Sequence, residues 1–113
     1  MIYRDPAHRK YIGQLPCIIC LEDTTTECAH LKFSCAALGK PTTGSQAKAD
    51  DYWTVPLCGR HHREEQKLRE PKFWAKYGWE LGDIGLAALR LFSMSRTSDH
   101  QAGVGFVKRA RRF

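Results

Sequence analysis

The chain has 113 residues, 42% of them hydrophobic and 27% charged, with a formal net charge of +6. That length supports one modest core and leaves little room for a second domain. No apolar run approaches membrane-spanning length and the opening MIYRDPAHRK holds no secretory stretch, so a cytoplasmic protein without membrane association is expected. The positive balance favours a polyanionic partner, with nucleic acid the first candidate.

In chain order, RDPAHRKYIGQL predicts a first helix, with Asp5 as N-cap, Pro6 at the first helical position and Pro16 as its stop. After the acidic turn Glu22-Asp23, the threonine-rich run predicts a strand whose Thr26, Cys28 and His30 share one face. Residues 34–51, SCAALGKPTTGSQAKADD, show no sustained periodicity and predict a long loop. YWTVPLC predicts the second strand, with Pro56 marking an irregular end. RHHREEQKLRE predicts a helix stopped by Pro71, and PKFWAKYG a short helix closed by Gly78. Asp83 is expected to cap IGLAALRLFSMSR, whose apolar stripe is Ile84, Ala87, Ala88 and Leu91. Phe73, Trp74, Tyr77 and Trp79 are expected in the core. One packed domain over 1–96 is therefore expected, followed by a flexible basic tail, 97–113, carrying Lys108, Arg109, Arg111 and Arg112. His8 and His100 have no partners in sequence and read as surface residues.

Five cysteines are an odd count, and in a reducing compartment their spacing points to metal rather than disulfides. Cys17-x-x-Cys20 and Cys58-x-x-His61 are two ligand pairs, each spaced so that one tight turn can grip one ion. Three thiolates and an imidazole close a tetrahedral zinc site with no open position, which makes the zinc structural and couples folding to metal. The competing possibility is a set of buried apolar cysteines beside a surface histidine. Cys28 could compete as a ligand but suits a small core position, and Cys35 has no assigned role.

His62 cannot share the zinc with His61, because adjacent helical residues diverge by about 100°. It faces elsewhere, with His30 on the preceding strand a plausible neighbour. Strand with histidine, loop, strand and helix opening with histidine form the ββα-metal arrangement. There a helix histidine holds a divalent cation on the scissile phosphate and the strand histidine deprotonates water. A hydrogen-bonded core His30 and a solvent-facing His62 are the alternative.

LPCIIC, ECAHLKF, DDYWTVPLCGRHHREEQ and FWAKYGWE, in that order, resemble the HNH endonucleases of the phage recombination-enhancement-function (Ref-like) type. The resemblance runs from about RDPAH to the LAALRLF helix. It implies an α+β fold, a small zinc-stabilised ββα-metal (HNH, His-Me finger) core with flanking helices. It also implies a phage- or prophage-encoded enzyme that hydrolyses DNA phosphodiester bonds with little sequence specificity, using Mg²⁺ or Mn²⁺. Carried over by position, Cys17, Cys20, Cys58 and His61 match the structural zinc ligands, His30 the general base and His62 the catalytic-metal ligand. The base-orienting position, often Asn, has no Asn here, and Asp51 is the nearest polar candidate. Many relatives place a metal-binding residue just before the base, where this chain has Ala29, although the Ref-like branch also carries Ala there. One turn after His62, where a His or Asn ligand is expected, Gln66 offers a weaker amide oxygen. Lys32, Lys40 and Lys48 flank the expected site and, with the tail cations, are candidates for phosphate contacts. Single-stranded DNA and RNA remain open as substrates. Two other functions remain open as well: a zinc-stabilised nucleic-acid-binding module without catalysis, and an adaptor that binds a protein partner.

Overall fold

Asp5 opens helix α1 (Pro6–Gly13) as the sequence predicts: its carboxylate accepts the His8 N–H at 3.0 Å, and Pro6 occupies the first turn. The computed structural model describes residues 2–44 and 48–112. Along α1, His8, Tyr11 and Ile12 turn inward at the helical spacing. His8 is thus not a surface residue. It is fully buried, with Nδ1 2.7 Å from Ser95 Oγ and Nε2 3.0 Å from Thr54 Oγ1. Position three of a capped helix puts it on the face that docks against the sheet, where two hydroxyls supply the partners a buried imidazole needs.

Strands β1 (Thr26–His30) and β2 (Thr54–Cys58) pair antiparallel, with Thr26 opposite Cys58, Cys28 opposite Pro56 and His30 opposite Thr54. β2 is buried along its whole length, whereas only Ala29 of β1 is. Pro56 lies in the middle of β2 rather than at an irregular end. Its carbonyl points away from β1 and accepts the Ile18 N–H at 2.9 Å, so its missing N–H also falls on the side away from the ladder.

Residues 34–51 are more ordered than a plain loop. One turn of 3₁₀ helix (Ala36–Leu38) is clamped by a bridge between Cys35 and Lys40. Lys40 is only 2% exposed, its ammonium lying over the rings of Phe33 (5.2 Å) and Trp53 (5.6 Å). The assignment of Lys40 to phosphate contacts is therefore corrected: cation–π stacking holds it inside. Residues 45–47 of this loop lie outside the described residues.

Helix α2 (Gly59–Leu68) starts where β2 ends, with Cys58 as its N-cap residue. The short α3 (Lys72–Lys76) follows, and Gly78 closes that turn at φ +78°, a conformation open to glycine. Phe73, Trp74 and Trp79 are buried, and Tyr77 packs half-buried against them. Helix α4 (Leu81–Ser95) buries the expected stripe Ile84, Ala87, Ala88 and Leu91. It begins before Asp83, which sits inside the first turn and is not the cap.

The last correction concerns the tail. Residues His100–Ala110 form helix α5, capped by Asp99, whose side chain accepts the Ala102 N–H at 3.0 Å. Val107 is fully buried, and Gly103 sits so close to α1 that a Cβ there would overlap the Tyr11 hydroxyl. Two glycines make this segment a poor helix in isolation, and tertiary packing outweighs that propensity. The packed unit thus runs past residue 96.

The chain is a small mixed α/β structure with a two-stranded sheet. No helix among the described residues is long and apolar enough to cross a membrane.

Candidate metal centre and adjoining cleft

The turn after α1 is shaped around its first cysteine. Cys17 N–H donates to Glu22 O (2.9 Å), Leu21 N–H to Cys17 O (2.8 Å), and Ile19 N–H to Cys17 Sγ (3.4 Å). Leu21 takes φ +67°, the left-handed conformation needed to close the turn behind Cys20. The Ile18 N–H docks this turn on β2, beside Cys58 and the first turn of α2.

Cys17, Cys20, Cys58 and His61 are brought together with one donor atom each, all within 4.8 Å of one another. Cys20 Sγ is 3.8 Å from Cys58 Sγ, and His61 Nδ1 is 3.3 Å from Cys58 Sγ and 3.7 Å from Cys17 Sγ. Zinc–sulfur bonds of about 2.3 Å place two sulfurs of a tetrahedron about 3.8 Å apart, so the spacing fits one ion. It does not fit a disulfide, whose sulfurs lie about 2.05 Å apart. Burial first, with the neighbouring Cys58 thiol, pushes the Cys17 thiol up to about 12 against the opposing backbone N–H groups. A bound divalent cation reverses that balance, because a coordinating thiol is deprotonated outright. The four residues could hold a structural metal ion such as zinc. Among the described residues they are the one group of three or more His, Cys, Asp and Glu side chains close enough to do so. Tyr77 packs edge-on against the His61 ring at 5.3 Å and helps to fix its plane.

His62 turns away from this cluster. Its Nδ1 lies 2.6 Å from Glu27 Oε1, an arrangement that makes Nε2 the lone-pair nitrogen of the neutral ring. His62 lines a cleft of about 560 Å³ whose wall also includes Cys28, His30, Lys32, Lys48, Glu65 and Gln66. The adjacent histidines of α2 therefore serve two different places.

His30, which lines the same cleft, is anchored by Asp51. That carboxylate is fully buried, and His30 Nε2 lies 2.9 Å from its Oδ1. Burial by itself would raise the Asp51 carboxyl. The hydrogen bonds from His30 and the Asp5 N–H, with the Arg9 charge, outweigh it and hold the group below the usual carboxylate range. An ionised carboxylate only accepts, so Nε2 of neutral His30 carries the proton and Nδ1 the lone pair. Burial lowers His30 itself and outweighs the upward pull of Asp51, which favours the neutral ring.

Of the remaining sequence candidates, Lys32 and Lys48 line the cleft and Lys40 does not. Lys108 and Arg109 are exposed on the last turn of α5, and Arg111 is exposed just beyond it. Arg112 stacks over Trp79 at 4.0 Å and lies 3.6 Å from Asp83. None of these four lines the cleft.

Sequence reasoning missed Glu65, Glu27 and the arginines on Asp51. Glu65 follows His62 by three positions and so shares its helical face, a spacing that was open to inspection. Burial first, and the neighbouring Glu70 second, push its carboxyl up to about 7. Glu27 and the arginines left no such signal, because their partners are distant in sequence. In comparisons with protein-family models, curated proteins and solved structures, nothing matches this chain.

Proposed function

We propose that the protein is a metal-dependent endonuclease of the HNH type, similar to the Ref-like enzymes, hydrolysing DNA phosphodiester bonds on a zinc-stabilised ββα-metal core. One observation carries this reading: His30, hydrogen-bonded through Nε2 to a buried carboxylate, lines the same cleft as His62. A base oriented by a carboxylate through its other nitrogen is the arrangement that acid–base catalysis by histidine requires. His30 would take the proton of the attacking water at Nδ1. Asp51 would fix the ring and its tautomer. Lys32 and Lys48 would hold phosphate oxygens of the bound strand.

A divalent cation, Mg²⁺ or Mn²⁺, would supply charge neutralisation at the phosphate. His62 and Glu65, with Gln66 as a weaker neighbour, are the residues to hold it. Magnesium binds through few protein ligands and completes its shell with water and substrate oxygens, so a sparse set suffices. Glu65 offsets the weak ligand at position 66, since a carboxylate binds a hard cation better than an amide. Zinc in the Cys17/Cys20/Cys58/His61 cluster would be structural, with all four positions filled by protein.

Supercoiled plasmid incubated with the zinc-loaded protein and Mg²⁺ or Mn²⁺ should be nicked, and His30→Ala should lower the rate by about 10²–10⁴-fold. Equal nicking by His30→Ala and the parent would overturn the catalytic assignment. A nucleic-acid-binding module without catalysis is the second reading, favoured by the cleft's lysines together with Arg69, which also lines it. That reading predicts salt-sensitive DNA binding without magnesium that survives His62→Ala, and no nicking.

A further inference from the structure

Four groups surround the Asp51 carboxylate. Oδ1 receives His30 Nε2 (2.9 Å) and Arg4 Nη1 (3.1 Å), while Oδ2 receives the Asp5 N–H (2.6 Å) and lies 3.0 Å from Arg9 Nε. Three of these contacts are hydrogen bonds; the Arg9 Nε–H makes none among the described residues, so Arg9 acts on the carboxylate through its charge. Three of the four come from residues 4–9, which lie far from His30 in sequence. The same segment is fastened to the loop that carries Asp51. Tyr3 N–H donates to Asp50 Oδ1 (2.8 Å), Asp51 N–H to Tyr3 O (3.0 Å), and Arg4 Nη2 to Lys48 O (3.2 Å).

We propose that Arg4 and Arg9 are positioning residues for the cleft histidine: through Asp51 they hold its carboxylate ionised and partly neutralised, so that His30 stays an uncharged imidazole with its Nδ1 lone pair available near neutral pH. The inference extends the assignment of His30 as base. Its central measurement, the ionisation of His30, needs no nuclease activity.

The physical argument is one of balance. A buried carboxylate facing a lone histidine stabilises the imidazolium and makes that histidine a proton store rather than a base. Two guanidinium groups on the same carboxylate cancel much of that pull. The side chains of Arg4 and Arg9 are 38% and 42% exposed, so solvent screens part of their effect. Other groups around His30 add to this balance. Burial pushes Cys28, which shares its strand face, up to about 11, so it contributes no charge near neutrality. Lys48 and Arg4 both lower His30. Burial brings His8, on the α1 side, down to about 4, so it too stays neutral. His62, Glu65 and Lys32, which also line the cleft, are ionisable too, so the measurement has to resolve His30 by itself.

The test is a residue-resolved NMR titration of imidazole ¹⁵N and ¹³C signals in the zinc-loaded full chain, with His30 assigned by its loss in His30→Gln. In the parent, His30 should titrate below the ordinary imidazole range with Nδ1 as its unprotonated nitrogen. In Arg4→Gln/Arg9→Gln it should titrate about one unit higher. Arg9→Lys keeps the charge and should stay near the parent, which a purely structural role for the guanidinium would not allow. If the double variant does not fold, Arg9→Gln alone carries the test with a smaller upward shift. A folded Arg-to-Gln variant whose His30 titrates as in the parent would overturn the proposal, as would a neutral His30 protonated at Nδ1. Plasmid nicking against pH is the parallel readout. Its acid limb should move upward with the His30 titration in the double variant, whereas absence of nicking in the parent would sink the nuclease reading and leave the ionisation result to decide this one.

Discussion

His61 and His62 are covalent neighbours at the start of α2, yet their surroundings have little in common. His61 is buried, with Nδ1 against two cysteine sulfurs and its ring wedged by Tyr77. His62 is partly exposed, paired with the exposed Glu27, and faces a cleft wide enough for a ligand. The candidate metal centre brings one donor atom from each of its four residues to within 4.8 Å of the others, as one ion would require. The cleft instead gathers two histidines, lysines and glutamates around an open volume of about 560 Å³. A closed cluster of this kind holds a fold together, whereas an open one is available for chemistry.

The sharpest way to break this comparison is to remove each histidine in turn. His61→Ala should lose cooperative folding or lower the melting temperature drastically, because structural zinc contributes on the order of 10 kcal/mol to folding in small domains. Zinc released on denaturation should fall well below one equivalent. His62→Ala should keep its zinc and its melting temperature within a few degrees while abolishing nicking. Equal damage to folding by both changes would mean that the two faces are one site.

Acid tests the cleft from behind. His8 supports the Asp51 loop through Thr54, whose hydroxyl bonds both His8 Nε2 (3.0 Å) and Asp51 O (2.8 Å). Burial holds folded His8 to about 4, against 6.5 for a free imidazole. The unfolded chain therefore takes up the proton first. The stability that neutral His8 contributes is complete above about pH 6.5, falls as pH drops, and is gone near pH 4. The loss amounts to about 3 kcal/mol. Urea denaturation of the parent and of His8→Asn at pH 7 and pH 4.5 should show a smaller acid loss in the variant. Parallel curves would place the acid sensitivity elsewhere.

Gly103→Ala serves as the control outside both regions. Its Cβ would overlap the Tyr11 hydroxyl and lie 2.8 Å from Leu15 Cδ2, so α5 or these two side chains must shift. A loss of about 1–3 kcal/mol in chemical denaturation is expected, with zinc content unchanged. The smallest effect should come from Gln66→Ala. This exposed amide is a poor ligand for a hard cation, and its removal should lower nicking by roughly two- to three-fold, read from initial rates at limiting Mg²⁺. A loss as large as that of His62→Ala would make Gln66 a principal ligand.

Local chemistry made much of this molecule legible in its sequence. The Asp5-Pro6 start of α1, the alternation in TECAH and the stripe of α4 each express a rule spanning a few residues. The two half-sites of the metal cluster were legible for the same reason, since each ligand pair sits within one turn. The burial of Lys40 over Phe33 and Trp53, the docking of α5 through Gly103, and the enclosure of His8 between Ser95 and Thr54 were not. These depend on which surfaces meet, and composition alone made each of them read as exposed.

The cleft divides along the same line. Sequence by itself determined that two histidines stand apart from the cysteine ligands and that one opens a helix, because spacing and helical geometry demand it. Only the tertiary structure decided that Asp51 would be buried against His30, with the Arg4 and Arg9 guanidinium groups within ion-pair distance of its carboxylate. A carboxylate chooses its partners by which charged groups the packed chain brings within about 3 Å, and residues 4–9, 30 and 51 meet only once the fold has closed.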